Sequence, residues 1–596
     1  MELTLSKSDK LLVLTPIQET FGEKENIIFL GSWCNAYSKR EFFTNRNHTF
    51  LRHPYNVNKK KFLRDQKYLK VLRHRLLESL TKKLNNIHKI NYSKEEWKII
   101  LGYWILIYTN VLFDRWEILR LFFLNEEYNK IKVHLIDIKN KNFKSTLDFT
   151  HNSLYSDIWN HRLFKDIINF KYKKKTHIKI IKNYHKNENI FPEYKFNVNL
   201  YFYIKKIINK ILIKFAKFII NFNHIIFDGL ISKKAYFKFC YRFKIIPFDI
   251  NLFFDIKNFS TTTNNNKRNF LNEIEFLTKN DFEKFLIKNI KNYLPDIFIE
   301  KFTSLRCSIM PYISNKKKLI LSQIAFHFND IFNIWLVEML KKKSIFFPSH
   351  HGGSLIFQNA ITVSRKYLSK KFITWHKPID KQDVQLSPLK LVDIDIKLKK
   401  NRQNCLIITN ELPRYYYMLP DIPVGENNLN EFLKIRNLMK FLKKEIIQSI
   451  IFRNSPNTDL GYKSLIQEDF KNSIKFSTNN NIFSDFKNTK LLICGYPSTP
   501  FSESINLDIP SIFFFSKKNW NIHTKFRGLL NDMQNENLFF EDEKLASKHI
   551  NLIWHNIDSW WNKSSVQKVI SQCKKDFFKI NKNWLNEYNN FFNKHI

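Results

Sequence analysis

The sequence predicts an α/β protein in which two domains, each on a mostly parallel sheet, face one another across a cleft. Three observations carry this reading. The chain has 596 residues, against roughly 150 for an average domain, so two large domains with added segments fit it. Its second half alternates short apolar runs with helical stretches, as strands do when crossover helices bury both sheet faces. Near the start, the apolar run IIFL stops at Gly31, which reads as a buried strand entering a loop.

The elements follow in order. Between 60 and 125, Leu63, Tyr68, Leu69, Leu72, Leu76, Leu77 and Leu80 return mostly at steps of three or four, and 94–123 continues as a second helix, an α-rich region. The most apolar stretch, Ile99 to Phe113, is shorter than the ~20 residues that cross a bilayer and contains Thr109 and Asn110, so a buried helix is expected. From about 130 to 300 lies a charged, Asn-rich variable insert. Within it, residues 201–220 set Lys206, Lys210, Lys214 and Lys217 at helical spacing against Ile and Phe. Two readings stay open there: a helix on an acidic membrane surface, or a packed helix whose lysines face water.

After 330 the pattern becomes α/β, following a helix that begins at 321. Helices are expected at 321–341, 429–447 and from Pro500, with Thr499 as its cap. Strands are expected at 344–349, 371–376, 405–411, 449–454, 490–495 and 511–515. The segment 378–400 carries little core pattern and is read as the joint. It separates an N-terminal domain, 1–390, from a C-terminal one, 391–596, both Rossmann-like. Residues 545–591 read as helices whose Trp554, Trp560, Trp561 and Trp584 pack back across that joint.

Composition excludes several functions. The net charge is +44, with 80 lysines but only 18 arginines. Lys, Ile, Asn and Phe share A/T-rich codons, so much of this bias is background. The field still favours anionic lipid or polyphosphate. A nucleic-acid reader would show arginine forks and a recognition module, so no specific nucleic-acid partner is expected. The six cysteines form no CxxC pair, against a thiolate metal site or disulfide scaffold and in favour of a cytoplasmic location. The opening residues lack a signal-peptide pattern. No HExxH, Walker A or GxSxG occurs, so neither a metal nor a tightly bound cofactor is expected.

Two segments are candidates for chemistry. His350-His351-Gly352-Gly353-Ser354 follows a strand, where α/β sheets collect ligands; the glycines let the backbone approach phosphate, and His351 suits a base or a phosphate donor. A tight surface turn is the plain alternative. In Cys494 to Glu503, Ser498 and Thr499 stand at a helix N-terminus, a natural anion site, with Glu503 placed for ribose hydroxyls; ordinary capping is the plain alternative. Arg414 and Arg453 follow neighbouring strands, where a guanidinium fork suits a diphosphate.

Several blocks together resemble the LIC12162-type transferases found among O-antigen and other surface-polysaccharide genes. They are Leu30-Gly31-Ser32-Trp33-Cys34, Asp65 to Leu69, Asp114-Arg115-Trp116, His351-Gly352-Gly353, Thr374-Trp375, Pro413-Arg414-Tyr415, Ser498-Thr499 with Glu503, and Trp560-Trp561. The resemblance implies a GT-B architecture, with an acceptor-side N-terminal domain and a C-terminal domain that holds the donor nucleotide. It implies glycosyl transfer, without a metal, from a nucleotide-sugar to a cell-surface glycan or lipid-linked glycan acceptor, with CMP-, CDP- or GDP-linked donors ahead of UDP-linked ones. His351 and Arg453 would be catalytic; Gly352, Gly353, Arg414, Ser498, Thr499 and Glu503 would bind the donor. Ser32, His350 and Pro497 depart from the family pattern. A CDP-glycerol-type phosphotransferase and an inactive scaffold of a polysaccharide assembly complex are the alternatives. Work at the inner face of the cytoplasmic membrane, by peripheral contact with anionic lipid, would fit the acceptor.

Overall fold

The computed structural model describes residues 10–595 apart from 24, 139–141, 185–206, 209, 263–264, 353–367, 417–421, 455–459 and 521. Gly353, Ser354 and Lys206 therefore lie outside the described residues. All named strand pairs are parallel.

The first sheet contains β1 (Lys10–Val13), β2 (Asn26–Phe29), β3 (His48–Phe50), β4 (Ile131–Ile136) and β5 (Thr176–Ile181), in the order β3-β2-β1-β4-β5. Direction along the sheet reverses between β1 and β4, which opens a crevice at the carboxyl ends of those strands. Between β3 and β4 the chain makes a long hairpin, α1 (Lys59–His88) and α2 (Lys94–Phe122). Helix α2 opens with a capping box, Ser93 and Glu96, and its residues from Ile99 to Phe113 are buried apart from the half-buried Gly102. Among the described residues no helix is long and apolar enough to cross a membrane. On the carboxyl side of β4 follows α3 (Asp157–Ile167), capped by Ser156.

A second sheet adds further strands to those expected at 344–349 and 371–376. It contains β6 (Ile225–Asp228), β7 (Leu319–Ser322) and β8 (Ile345–Pro348), and a parallel bridge from Ser349 to Ile373 ties it to the pair β9 (Phe372–Thr374) and β10 (Asp383–Gln385). The helix expected from 321 is thus corrected: Leu319–Ser322 is a central strand, and α5 (Asp330–Lys341) begins only after a short helical turn. Such short strands show no readable alternation, because both of their faces are buried. Ile226, Ile320 and Phe346 join the core of the first sheet, while Phe227, Leu321 and Phe347 line the opposite face. Helix α4 (Ala216–Phe222) leads into β6. The segment 378–400 also proved richer than its sequence suggested, since Leu386, Leu389, Leu391 and Val392 are all buried.

The third sheet holds β11 (Asn404–Thr409), β12 (Ile450–Asn454), β13 (Lys475–Phe476), β14 (Thr489–Cys494), β15 (Ser511–Phe514) and β16 (Phe539–Phe540), ordered β13-β12-β11-β14-β15-β16. Counted within this domain the order is 3-2-1-4-5-6, that of dinucleotide-binding sheets. After β14 comes α6 (Thr499–Asn506), and near the end come α7 (Ser564–Phe577) and α8 (Trp584–Asn593). Trp554, Trp560 and Trp561 are buried in the core built on this third sheet rather than across the joint. The crossing back is made by α8, whose Trp584, Tyr588, Phe591 and Phe592 cover the outer face of the second sheet, with the Phe591 ring 4.8 Å from that of Phe347.

Candidate functional site

The turn after β8 is held over the carboxyl edge of the second sheet by its own backbone. Ser349 N donates to Ser322 O at 2.9 Å and His350 N to Ile373 O at 2.9 Å, so the chain is gripped from both neighbouring strands. The His350 side chain turns into the core, its ring edge-on to Phe372 at 5.0 Å and to His376 at 4.9 Å. Gly352 then takes φ +121°, which side chains rarely adopt, and a Cβ there would sit 2.6 Å from Thr499 Oγ1 and 3.3 Å from the Trp375 ring. The glycine is required because two domains meet at its backbone.

Opposite Gly352 stands the start of α6. The cap is Ser498, one residue earlier than expected, with Thr499 and Pro500 as the first two helical residues. Ser498 caps by conformation alone, for its hydroxyl makes no capping bond. The first-turn amides and the positive dipole end therefore face the Gly352 turn together with two half-buried hydroxyl residues. One turn further on, Glu503 is buried and its carboxylate pairs with Lys390 Nζ at 2.6 Å. Lys390 comes from the segment read as a bare joint, and nothing in its local pattern marks it.

His351 sits at the centre of this junction. Burial, and next the Lys390 ammonium, hold its imidazole below the ordinary range, opposed by a backbone hydrogen bond at Gln323 and by Asp228. A histidine so placed is neutral at neutral pH and can accept a proton. Asp228 is itself pinned at the end of β6, accepting from Ser322 Oγ at 2.7 Å and from the amides of Ile324 and Ala325 at 3.0 and 2.6 Å. The ring of His327 lies 5.9 Å from that of His351. The structure thus brings His351, Gly352, Thr499 and Glu503 together and adds Lys390.

The two arginines go elsewhere. Arg453 donates to Asp485 Oδ2 at 2.8 Å, Ser477 Oγ at 3.0 Å and Asn479 O at 2.7 Å. Arg414 pairs with Asp157 at 3.0 Å, and the Tyr415 hydroxyl donates to the same carboxylate at 2.6 Å. These contacts belong to a second seam, between the loop after β11 and the first sheet. There the buried Arg115 donates to Asp114 at 2.7 Å, to Asn160 at 3.1 Å and to the carbonyls of Ser153 and Tyr416. Trp33 is a core residue of that seam, its indole donating to Leu14 O at 2.8 Å and lying 5.9 Å from Phe164 and from Tyr415. Sequence reading missed Arg115's bridging role, although its block, Asp114-Arg115-Trp116, was among the shared ones.

Clefts open along these strand ends. A narrow one lies between Ser32, Trp33, Leu412, Arg414 and Leu460. Another narrow one sits where the third sheet reverses direction between β11 and β14, lined by Thr409, Asn428, Glu431, Gly495 and Tyr496. A roomier one is at the ends of β2 and β3, lined by Leu30, Trp33, Arg52, His53 and Tyr128. No cluster of three or more His, Cys, Asp or Glu able to hold a metal occurs among the described residues. The cysteines are free thiols, and burial pushes those of Cys405 and Cys494 up to about 12, which leaves them poor nucleophiles.

A protein-family model described as "LIC12162 family transferase" matches residues 10–592. No curated protein matches the sequence. Among solved structures, the one described as "S. aureus MnaA-UDP co-structure" aligns at 9% identity and a TM-score of 0.33, covering 64% of this chain and 93% of that one. The "Wall Teichoic Acid Polymerase TagF" aligns at 12% identity and 0.27, covering 49% and 84%, and a variant of the same polymerase at 12% and 0.29, covering 46% and 72%. Likeness at this level says nothing about which residues act in this chain.

Proposed function

This chain belongs to the LIC12162 family of transferases, and from that membership and the His351 junction we propose that it is a metal-independent glycosyltransferase. In this reading it moves a sugar from a nucleotide-activated donor to a cell-surface polysaccharide or lipopolysaccharide acceptor. The first and third sheets are the two halves of a GT-B arrangement. One observation carries the proposal: a base-competent histidine and a glycine turn on one half meet a helix N-terminus on the other.

In this reading the donor phosphates sit against the first turn of α6, at the edge of its contact with the Gly352 backbone. The helix amides and the Ser498 and Thr499 hydroxyls stabilise the charge that grows on the leaving nucleotide as the sugar–oxygen bond breaks. His351 takes the proton of the acceptor hydroxyl as that oxygen bonds to the sugar carbon, and the nucleotide departs with the electron pair. Lys390 holds Glu503 in an ion pair beside the site, and burial together with the Lys390 charge keeps His351 unprotonated between turnovers. Arg453 reaches a phosphate only by leaving Asp485, so the leaving-group role passes to α6. The acceptor belongs to the N-terminal half, and a lipid-linked acceptor places the protein at the cytoplasmic face of a membrane.

Calorimetry against CMP, CDP, GDP, UDP and their sugars tests the reading. Binding of a cytidine or guanosine nucleotide, followed by a new glycosidic bond in the product, supports it. A phosphodiester product would assign the same residues to glycerol-phosphate transfer. Absence of both nucleotide binding and turnover would leave an assembly scaffold.

A further inference from the structure

The helix that leads into the second sheet has two apolar faces and buries only one. The described residues between 207 and 222 are helical, with a tightened turn at Phe215 whose angles (φ −97°, ψ 8°) stay close to helical. Ala216, Ile219 and Ile220 are buried, and Ile213 packs partly against the same core. Ile207, Ile208, Ile211, Phe215, Phe218 and Phe222 are instead 50–60% exposed. At 3.6 residues per turn these six positions fall within an arc of about 100°, roughly opposite the buried set. Lys210, Lys214 and Lys217 are exposed along one border of that stripe. No aspartate or glutamate occurs between Tyr201 and His224.

Single exposed apolar residues need no explanation, but six in register on one helix do. We infer that this stripe is the surface by which the protein lies on an anionic lipid bilayer, with the Ile and Phe side chains entering the headgroup boundary and the lysines meeting lipid phosphates. Charge selects this occupant. A second copy docking the same face by two-fold symmetry would bring two sets of like-charged lysines together. An anionic bilayer satisfies the apolar stripe and its basic border at once. The inference deepens the membrane part of the reading above and does not depend on the donor chemistry.

The test is co-sedimentation of the full chain with vesicles of phosphatidylcholine alone or with about a third phosphatidylglycerol, the anionic lipid attracting each juxtaposed lysine. The expected result is binding to the anionic vesicles, reversed at high salt. The double variant F215S/F218S lowers the partition coefficient at least ~10-fold with an unchanged melting temperature, because those rings cover no core. The triple variant K210Q/K214Q/K217Q lowers it about a hundredfold on anionic vesicles and leaves neutral ones unaffected. Equal partitioning of variants and parent overturns the inference. So does a concentration-dependent dimer that the phenylalanine variants abolish, which would assign the stripe to a second copy. Nucleotide binding by these variants stays at the parent level, so failure here leaves the transferase reading standing.

Discussion

The two seams between the halves of the protein are filled in opposite ways. At the seam around Arg115, charged groups are spent on one another: Arg414 and Tyr415 close on Asp157, and Arg115 bridges Asp114, Asn160 and the Tyr416 carbonyl. At the seam around His351, a glycine backbone faces a helix start whose Ser498 hydroxyl makes no capping bond, and the ion pair of Lys390 with Glu503 sits a turn deeper. A seam satisfied from within fixes how two bodies sit. The proposed site is placed at the second seam because a glycine backbone there meets a helix start.

Four measurements break or sharpen that contrast. The largest effect is expected from His351→Ala: kcat falls by about two to four orders of magnitude, as for loss of a general base, while donor affinity measured by calorimetry changes little. Equal losses in both would turn His351 into a phosphate ligand. Next, Arg115→Met should cost about 3–5 kcal/mol of unfolding free energy in a denaturant titration, because it strands the buried Asp114 charge. A neutral outcome there would mean that the first seam does not hold the halves. Third, replacing Ser498 and Thr499 together by alanine should weaken donor binding by roughly 1.5–3 kcal/mol per charge-assisted bond lost, with the melting temperature nearly unchanged. A collapse of the fold instead would make that helix start structural.

The smallest effect is a shift in pH dependence. Burial and Lys390 depress the His351 pKa, so the imidazole is neutral at neutral pH and the acid limb of kcat/KM lies below the ordinary value of ~6.5. Lys390→Gln removes a positive neighbour, which favours the imidazolium. The acid limb should therefore move up in pH. A limb that stays in place would show that Lys390 serves Glu503 alone.

Much of the third sheet was legible in the sequence, because its runs, such as KLLICG and SIFFF, are apolar, β-branched or aromatic, and end in polar turns. The second sheet was legible only in part: the runs at 344–349 and 371–376 read as strands, whereas Leu319–Ser322 merged with the helix after it and Ile225–Asp228 and Asp383–Gln385 gave no strand pattern. The junction was half legible. His351, Gly352, Thr499 and Glu503 stand beside glycine, proline or strand ends, which announce a turn, and those four do meet. Arg453 and Arg414 also stand at strand ends, yet their partners, Asp485 and Asp157, lie 32 and 257 positions away and only folding brings them near. Lys390 had no signal at all, being one lysine among 80.

Helix α8 gives the molecule a mechanical property. The chain passes between the halves twice, once through 377–404 and once between α7 and α8, and the two passages touch where Asn581 N donates to Ser387 Oγ at 2.9 Å, while Lys377 N donates to Asp576 O at the end of α7 at 2.9 Å. Helix α8 therefore ties the C-terminal half back to the second sheet beside the first connection, so that the two crossings act as a single attachment near Ser387 and Asn581.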